Sequence, residues 1–370
     1  KAAEILSTAK FPVIQNGAGG VLAKGGIEAS RVLAEKLDAP VCVGYQHNDA
    51  FPGNHPLFAG PLGYNGSKAG MELISNADVV LCLGTRLNPF STLPGYGIDY
   101  WPTDAKIIQV DINPDRIGLT KKVTVGIVGD ATKVASAITA QLADTAGDTD
   151  RDSRKAMIAQ TKSAWAQELT SMTDEQDDPG TTWNQRARAE KPDWMSPRMA
   201  WRAIQQALPQ EAIISSDIGN NCAIGNAYPS FSEGRKYLAP GLFGPCGYGL
   251  PAIVGAKIGQ PDVPVVGFAG DGAFGIAVNE LTAIGRGDWP PVTQVVFRNY
   301  QWGAEKRNST LWFDDNFVGT ELDTDVSYAG IAQACGLEGV VARTQDELTA
   351  ALAKAIDDQM NHGKTTLIEA

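Results

Sequence analysis

The sequence predicts an α/β fold with two Rossmann-like parallel-sheet domains, and three observations carry that expectation. Short apolar runs rich in Val and Ile, bounded by Gly, Asp or Pro, alternate with helix-like stretches. This is the pattern of parallel strands covered on both faces. The rhythm breaks once, over residues 146–195, and then restarts, and a length of 370 residues suits about two domains. Forty glycines fall mostly just after the apolar runs, as tight turns over a ligand require.

The first block, 1–145, carries FPVIQN (11–16), PVCVG (40–44), DVVLCLG (78–84), KIIQVD (106–111) and TVGIVGD (124–130) as buried strands. Helices are expected between them, for example over 26–37 and 67–76, the second with Ser67 as its N-cap. Residues 146–195 read as a charged interdomain linker, with one helix at about 151–172 between two solvated stretches. The second block, 196–370, opens on SPRMAW, where Ser196 is a good N-cap and Pro197 suits the first helical position. Strands AIISSD (212–217), PVVGFAG (264–270), PVTQVVFRN (291–299) and GVVAR (339–343) follow, and no internal repeat is visible.

A net charge of −11 argues against general nucleic-acid or anionic-membrane partners. The chain has no apolar run of about 18 residues and no apolar segment over 1–10 that would serve as a signal, so a cytoplasmic protein is expected. Cys42, Cys82, Cys222, Cys246 and Cys335 show no CxxC spacing and read as buried, reduced thiols. Three histidines are too few for a His-rich metal site, and His47 and His55 receive no role. The first residue is not Met, and TTLIEA (365–370) looks like a strand cut at its end, so a fragment is expected.

VVGFAGDGAF (265–274) raises the chemical question, because it ends a buried strand on a carboxylate clamped between glycines. A buried carboxylate is costly unless it is paired, hydrogen-bonded or bound to a metal. Asp271 falls at the carboxyl end of its strand, where open α/β sheets place ligands, and the next helix is expected to start near Gly275. The apolar run VTQVVF ends at Asn299, 28 residues after Asp271, a separation that one crossover spans to bring two adjacent strand ends together. Asp271 and Asn299 then form a hard oxygen shell that suits Mg²⁺ beside phosphate oxygens. Two ordinary turns with polar caps are the competing account.

A GDG followed by a strand-ending Asn resembles the diphosphate–Mg²⁺ motif of the thiamine-diphosphate enzymes. The resemblance implies that the second domain is a thiamine-diphosphate-binding (diphosphate-side) fold. Its metal ligands would be Asp271, Asn299 and the backbone carbonyl of Gln301, with Gly270, Gly272, Ala273 and Gly303 against the cofactor. The usual Asn-Asn ending is here Arg298-Asn299, which leaves the role of the first position open. SSDIGNNC (215–222) is similar to the diphosphate-holding turn and implies that Gly219, Asn220 and Asn221 lie near the phosphates. GLFGPCGYGLPAIVGA (241–256) is similar to the loop that holds the aminopyrimidine, which implies contacts from Gly244 and Cys246. Cys246 stands where relatives carry a bulky apolar residue, and simple packing would also explain it.

Residues 44–102, 299–308 and 316–322 are similar to one branch of that family, which degrades sulfonates derived from taurine. Its members convert sulfoacetaldehyde and phosphate to acetyl phosphate and sulfite. Glu305, six residues past Asn299, matches a carboxylate placed over the reacting carbon in some members; a helix-surface Glu is the alternative. Lys306 and Arg307 read as a solvated basic face, and NGAGGVLAKGG (16–26) as a structural turn although related synthases hold FAD there. Family members carry an N-terminal domain whose Glu protonates the pyrimidine. The resemblance therefore implies a middle and a C-terminal domain only, inactive alone, from a homodimer or homotetramer. An acetolactate synthase-like enzyme acting on pyruvate and a non-catalytic nucleotide-binding scaffold are the rival accounts.

Overall fold

The computed structural model describes residues 1–143, 151–172, 195–241 and 243–370. Two compact units result: Lys1–Thr170 with Pro229–Arg235, and Ser171–Tyr228 with Lys236–Ala370.

In the first unit, β1 (Pro12–Asn16), β2 (Val41–Val43), β3 (Phe58–Pro61), β4 (Val79–Leu83), β5 (Lys106–Asp111) and β6 (Val125–Val128) form one sheet. Its order is β3-β2-β1-β4-β5-β6, and every pairing is parallel. β1, β2 and β4 are buried at every residue, which is why they read as unbroken apolar runs rather than alternating ones. The order reverses between β1 and β4, and there the backbones touch. A Cβ on Gly19 would lie 2.6 Å from the Gly84 Cα, and one on Gly17 2.6 Å from the Thr85 Cβ. Close packing of two loops thus accounts for the glycines of NGAGG.

The helix expected near 151–172 spans Arg151–Ser171. Its buried Arg154 donates to the carbonyls of Asp38, Lys10 and Leu37 at 3.1, 2.7 and 2.9 Å. Two segments, the end of the helix Gly26–Leu37 and the residues before β1, are thus tied to one guanidinium. The flanking stretches 144–150 and 173–194 of the expected linker lie outside the described residues.

The second unit repeats the plan with β7 (Ile213–Ser216), β8 (Tyr237–Leu238), β9 (Val265–Gly270), β10 (Thr293–Phe297), β11 (Glu338–Val341) and β12 (Thr366–Glu369). The order is β11-β12-β10-β9-β7-β8, again all parallel. Ser196 caps the helix Pro197–Ala207 by accepting from the Met199 amide, and Ser67 caps Lys68–Ser75 in the same way. β12, whose sequence looked like a terminal strand, sits inside the sheet between β10 and β11.

Three expectations need correcting. β6, read as a buried strand, is an edge strand with Gly126 and Val128 exposed. The helix after β9 begins at Asp271, not near Gly275, because Gly270 ends the strand extended and the chain turns helical at once. Cys246 and Cys335 are only partly buried, whereas Cys42, Cys82 and Cys222 are enclosed, and none of the five forms a disulfide among the described residues. Strands β3 and β8 had no clear signature: FAGP is short and proline-ended, and β8 is two residues long. Among the described residues no helix is long and apolar enough to cross a membrane.

Candidate functional site

β7 sends its connection to β8 on one side, while β9 and β10 continue on the other. Loops diverge at such a reversal and leave a crevice at the carboxyl ends of the strands. Into it point Asp217 after β7, Asp271 after β9 and Asn299 after β10.

Asp271 is buried and its two oxygens face different ways. Oδ2 accepts from the Tyr300 amide at 2.7 Å and lies 3.7 Å from Arg298 Nη1. Oδ1 accepts from the Gly272 amide at 3.0 Å. The Asn299 side-chain oxygen faces Oδ1 at 3.1 Å and the Gln301 carbonyl at 3.0 Å; with the amide turned over, its NH₂ would donate to both. In the first orientation the Asn299 oxygen stands against two others. Ligand oxygens about 2.1 Å from an octahedral Mg²⁺ stand about 3.0 Å apart along each edge, so this spacing suits a cation between them. Burial pushes the Asp271 carboxyl above the usual range, against the opposing effect of the Tyr300 amide and Arg298. A divalent cation at Oδ1 would reverse that shift.

The other residues named from the sequence close around this point. Gly219, at φ 136°, opens the helix Asn220–Gly225, and a Cβ there would lie 3.1 Å from Asn221 Oδ1. That oxygen is buried without a hydrogen-bond partner among the described residues, and it stands 3.7 Å from the Cβ position of Gly270. A Cβ on Gly303 would crowd the amides of Asn299 and Asn220 at 2.8 and 3.0 Å. Gly272 lies under the Trp302 ring, 2.8 Å from its Cβ position, and Ala273 is buried beside it. Gly272→Ala is expected to displace Trp302 and break its amide bond to the Thr320 carbonyl, now 2.8 Å. Overpacking of this kind costs about 1–3 kcal/mol, read as a lowered urea midpoint at unchanged slope.

Asp217 was not singled out in the sequence, yet it organises the Gly-rich loop. It accepts from the amides of Ile218 (2.9 Å), Gly247 (3.1 Å) and Gly249 (2.8 Å). Burial raises its pKa, and these amides oppose the shift. The loop so fixed carries Gly244, at φ 72°, and Cys246. Burial raises the Cys246 thiol pKa, helped by the negative charges of Asp217 and Glu305. The signal in SSDIG was close to the one already read in AGDG, an Asp closing an apolar run with a glycine just beyond it.

Glu305 is exposed on the helix Gly303–Trp312, within electrostatic reach of Cys246. Lys306 is not the solvated cation expected: it lies 2.6 Å from Glu321 and over the Phe317 ring. Arg307 is exposed. His55 sits 3.1 Å from Glu35 in the first unit.

Comparison with known proteins bears on this geometry. Residues 1–138 match the thiamine pyrophosphate enzyme central domain, and residues 217–370 match the C-terminal TPP binding domain. The chain is 82% identical over 370 residues to the sulfoacetaldehyde acetyltransferase of Roseovarius nubinhibens, covering all of this chain and 61% of that protein. It is 77% identical over 370 residues to the sulfoacetaldehyde acetyltransferase of Rhodobacter capsulatus, covering 100% and 62%. A probable sulfoacetaldehyde acetyltransferase of Rhizobium meliloti is 72% identical over 369 residues, covering 100% and 62%. The chain thus spans about six-tenths of the length of these relatives. The two matches cover the whole first sheet and all of the second but β7, and the second begins at Asp217 and contains every oxygen of the cluster, so the chain belongs to the thiamine pyrophosphate enzyme family.

Proposed function

We propose that the protein containing this chain converts sulfoacetaldehyde and phosphate to acetyl phosphate and sulfite, using thiamine diphosphate and Mg²⁺. The observation that carries this reading is the 82% identity, over the whole chain, with a relative of that name. The oxygen cluster supports the metal: Asp271 Oδ1, Asn299 Oδ1 and the Gln301 carbonyl would hold Mg²⁺, with diphosphate oxygens completing the shell. Gly219, Asn220, Asn221, Gly270, Gly272, Ala273 and Gly303 would flank the diphosphate, and the glycines let Asn220, Asn221, Asn299 and Trp302 pack closely there. Gly244 and Cys246 would meet the rings of the cofactor on the loop that Asp217 fixes.

When bound, thiamine diphosphate supplies a carbon nucleophile that adds to the aldehyde and stores its electron pair. The balance sets the protein's task. The aldehyde carbon loses a proton and becomes the acyl carbon, the C–S bond breaks with its electrons leaving on sulfite, and the freed CH₂ gains a proton to become CH₃. Phosphate then takes the acetyl group. Glu305, within electrostatic reach of Cys246, would hold or deliver such a proton. Glu305→Gln is expected to lower kcat about 100-fold with cofactor affinity unchanged, and normal turnover would remove Glu305 from the chemistry.

A homodimer or homotetramer belongs to the same reading. Leu311, Trp312, Phe313 and Val318 are exposed apolar side chains in the last turn of the site helix and just beyond it, which a partner surface would cover. The decisive assay uses the full-length protein with thiamine diphosphate, Mg²⁺ and sulfoacetaldehyde. Sulfite release that depends on phosphate supports the proposal. Turnover of pyruvate to acetolactate without sulfite would replace the substrate, and no Mg²⁺-dependent thiamine diphosphate binding would leave only a nucleotide-binding scaffold.

A further inference from the structure

The family comparison leaves Arg298 without a role, and its surroundings are unusual. The guanidinium is buried between two aromatic faces, 4.3 Å from the Tyr300 ring centre and 4.8 Å from that of Tyr328. Its Nε lies 3.0 Å from Glu369 at the end of β12, and Nη2 donates to the Val326 carbonyl at 2.7 Å. Glu369 is itself held, accepting from Ser327 Oγ at 2.9 Å and the Ala329 amide at 3.0 Å. Tyr328 is held too, donating its hydroxyl to the Asp271 carbonyl at 3.1 Å.

Between Asn299 and Gln301 stands Tyr300, in the left-handed region at φ 55°. That conformation is strained for a bulky residue with a Cβ, and strain of this kind persists only where surrounding structure over-determines it. Its consequence is local and useful. The Tyr300 turn aims its own amide at Asp271 Oδ2 and brings the Gln301 carbonyl within 3.0 Å of the Asn299 side chain. The segment 300–302 is pinned by backbone hydrogen bonds to 320–322, at 2.8 and 2.9 Å.

We infer that Arg298 is a positioning residue for the cation: stacked on Tyr300 and anchored by Glu369 and Tyr328, it holds the left-handed turn that presents the oxygen cluster. Arg suits this place and Lys does not, because the stack needs a planar cation while two edges of the same plane bind Glu369 and Val326. Arg298 thereby acts on the metal through Tyr300 and Asp271, touching neither cation nor substrate.

This inference rests on the proposed cation site, and its test separates the two. In the full-length protein with thiamine diphosphate, Mn²⁺ binding is followed by electron paramagnetic resonance, with thermal melting of each variant without metal alongside. If the unsubstituted protein binds no Mn²⁺, the cation site itself fails. Given binding, Arg298→Gln is expected to weaken Mn²⁺ affinity about 10–100-fold, the usual effect of losing a residue that orients a ligand. Arg298→Lys keeps the charge beside Glu369 and protects the fold, and it should weaken affinity in the same direction. Adding Tyr300→Gly to Arg298→Gln removes the backbone strain and should recover most of the affinity. Wild-type affinity in Arg298→Lys, or a loss in Arg298→Gln that Tyr300→Gly does not recover, would overturn the assignment and leave Arg298 as charge balance alone.

Discussion

Asp271→Asn is expected to abolish Mg²⁺-dependent thiamine diphosphate binding while leaving the chain folded. The substitution keeps the shape, and an amide oxygen can still accept from the Tyr300 amide, at 2.7 Å in the native chain. It removes the negative charge at Oδ1, where the Asn299 and Gln301 oxygens converge. Breaking a buried ionic contact on one side costs about 3–5 kcal/mol, which is a hundredfold to several-thousandfold in affinity. Stability should move little or rise, since burial disfavours the charge that is removed. Calorimetric titration of the full-length protein with thiamine diphosphate, with and without Mg²⁺, decides it. Undiminished Mg²⁺-dependent binding would show that the cation sits elsewhere.

Trp201→Ala is expected to cost about 3–5 kcal/mol of stability, the range for emptying a fully buried aromatic site. Trp201 stands on the helix Pro197–Ala207 with its ring 4.9 Å from Phe268 on β9 and 5.5 Å from Phe297 on β10. No side chain could enter from Gly225, whose Cβ position is 2.3 Å from the indole, so the cavity would persist. The indole N–H also donates to the Asn221 carbonyl at 3.0 Å, and this ties the diphosphate-side turn to the core. Trp201→Phe should be milder, losing mainly that hydrogen bond, at about 1–3 kcal/mol for a buried acceptor left alone. Equilibrium urea unfolding followed by circular dichroism gives both values. A change below 1 kcal/mol in Trp201→Ala would mean the ring does not carry this core.

Most strands were legible because burial on both faces leaves a simple mark, an unbroken run of Val, Ile, Leu and Cys such as VVLCL in β4. FAGP and the two-residue β8 were not, since neither has the length or the β-branched content to stand out from a loop. The start of the helix after β9 was misplaced by four residues because glycines on both sides of Asp271 suggested a longer turn. At the site, Asp271 and Asn299 were readable from chemistry and spacing, as a carboxylate and an amide each closing an apolar run. Lys306 was misread because its partner, Glu321, is fifteen residues away along the chain and reaches it only through the pairing of 300–302 with 320–322.

The sequence by itself determined the class of fold, the two sheets and the residues that carry oxygen and glycine to the strand ends, because these follow from local periodicity and from the cost of burying a charge. Only the tertiary structure decided how they meet. The strand order that sets β9 between β7 and β10 brings Asp217, Asp271 and Asn299 to one crevice. The cage of Tyr300, Tyr328 and Glu369 around Arg298 joins residues up to 71 positions apart, from 298 to 369. No local pattern encodes such a contact, since it arises from the register of β10 on β12, in which Val296 lies opposite Glu369.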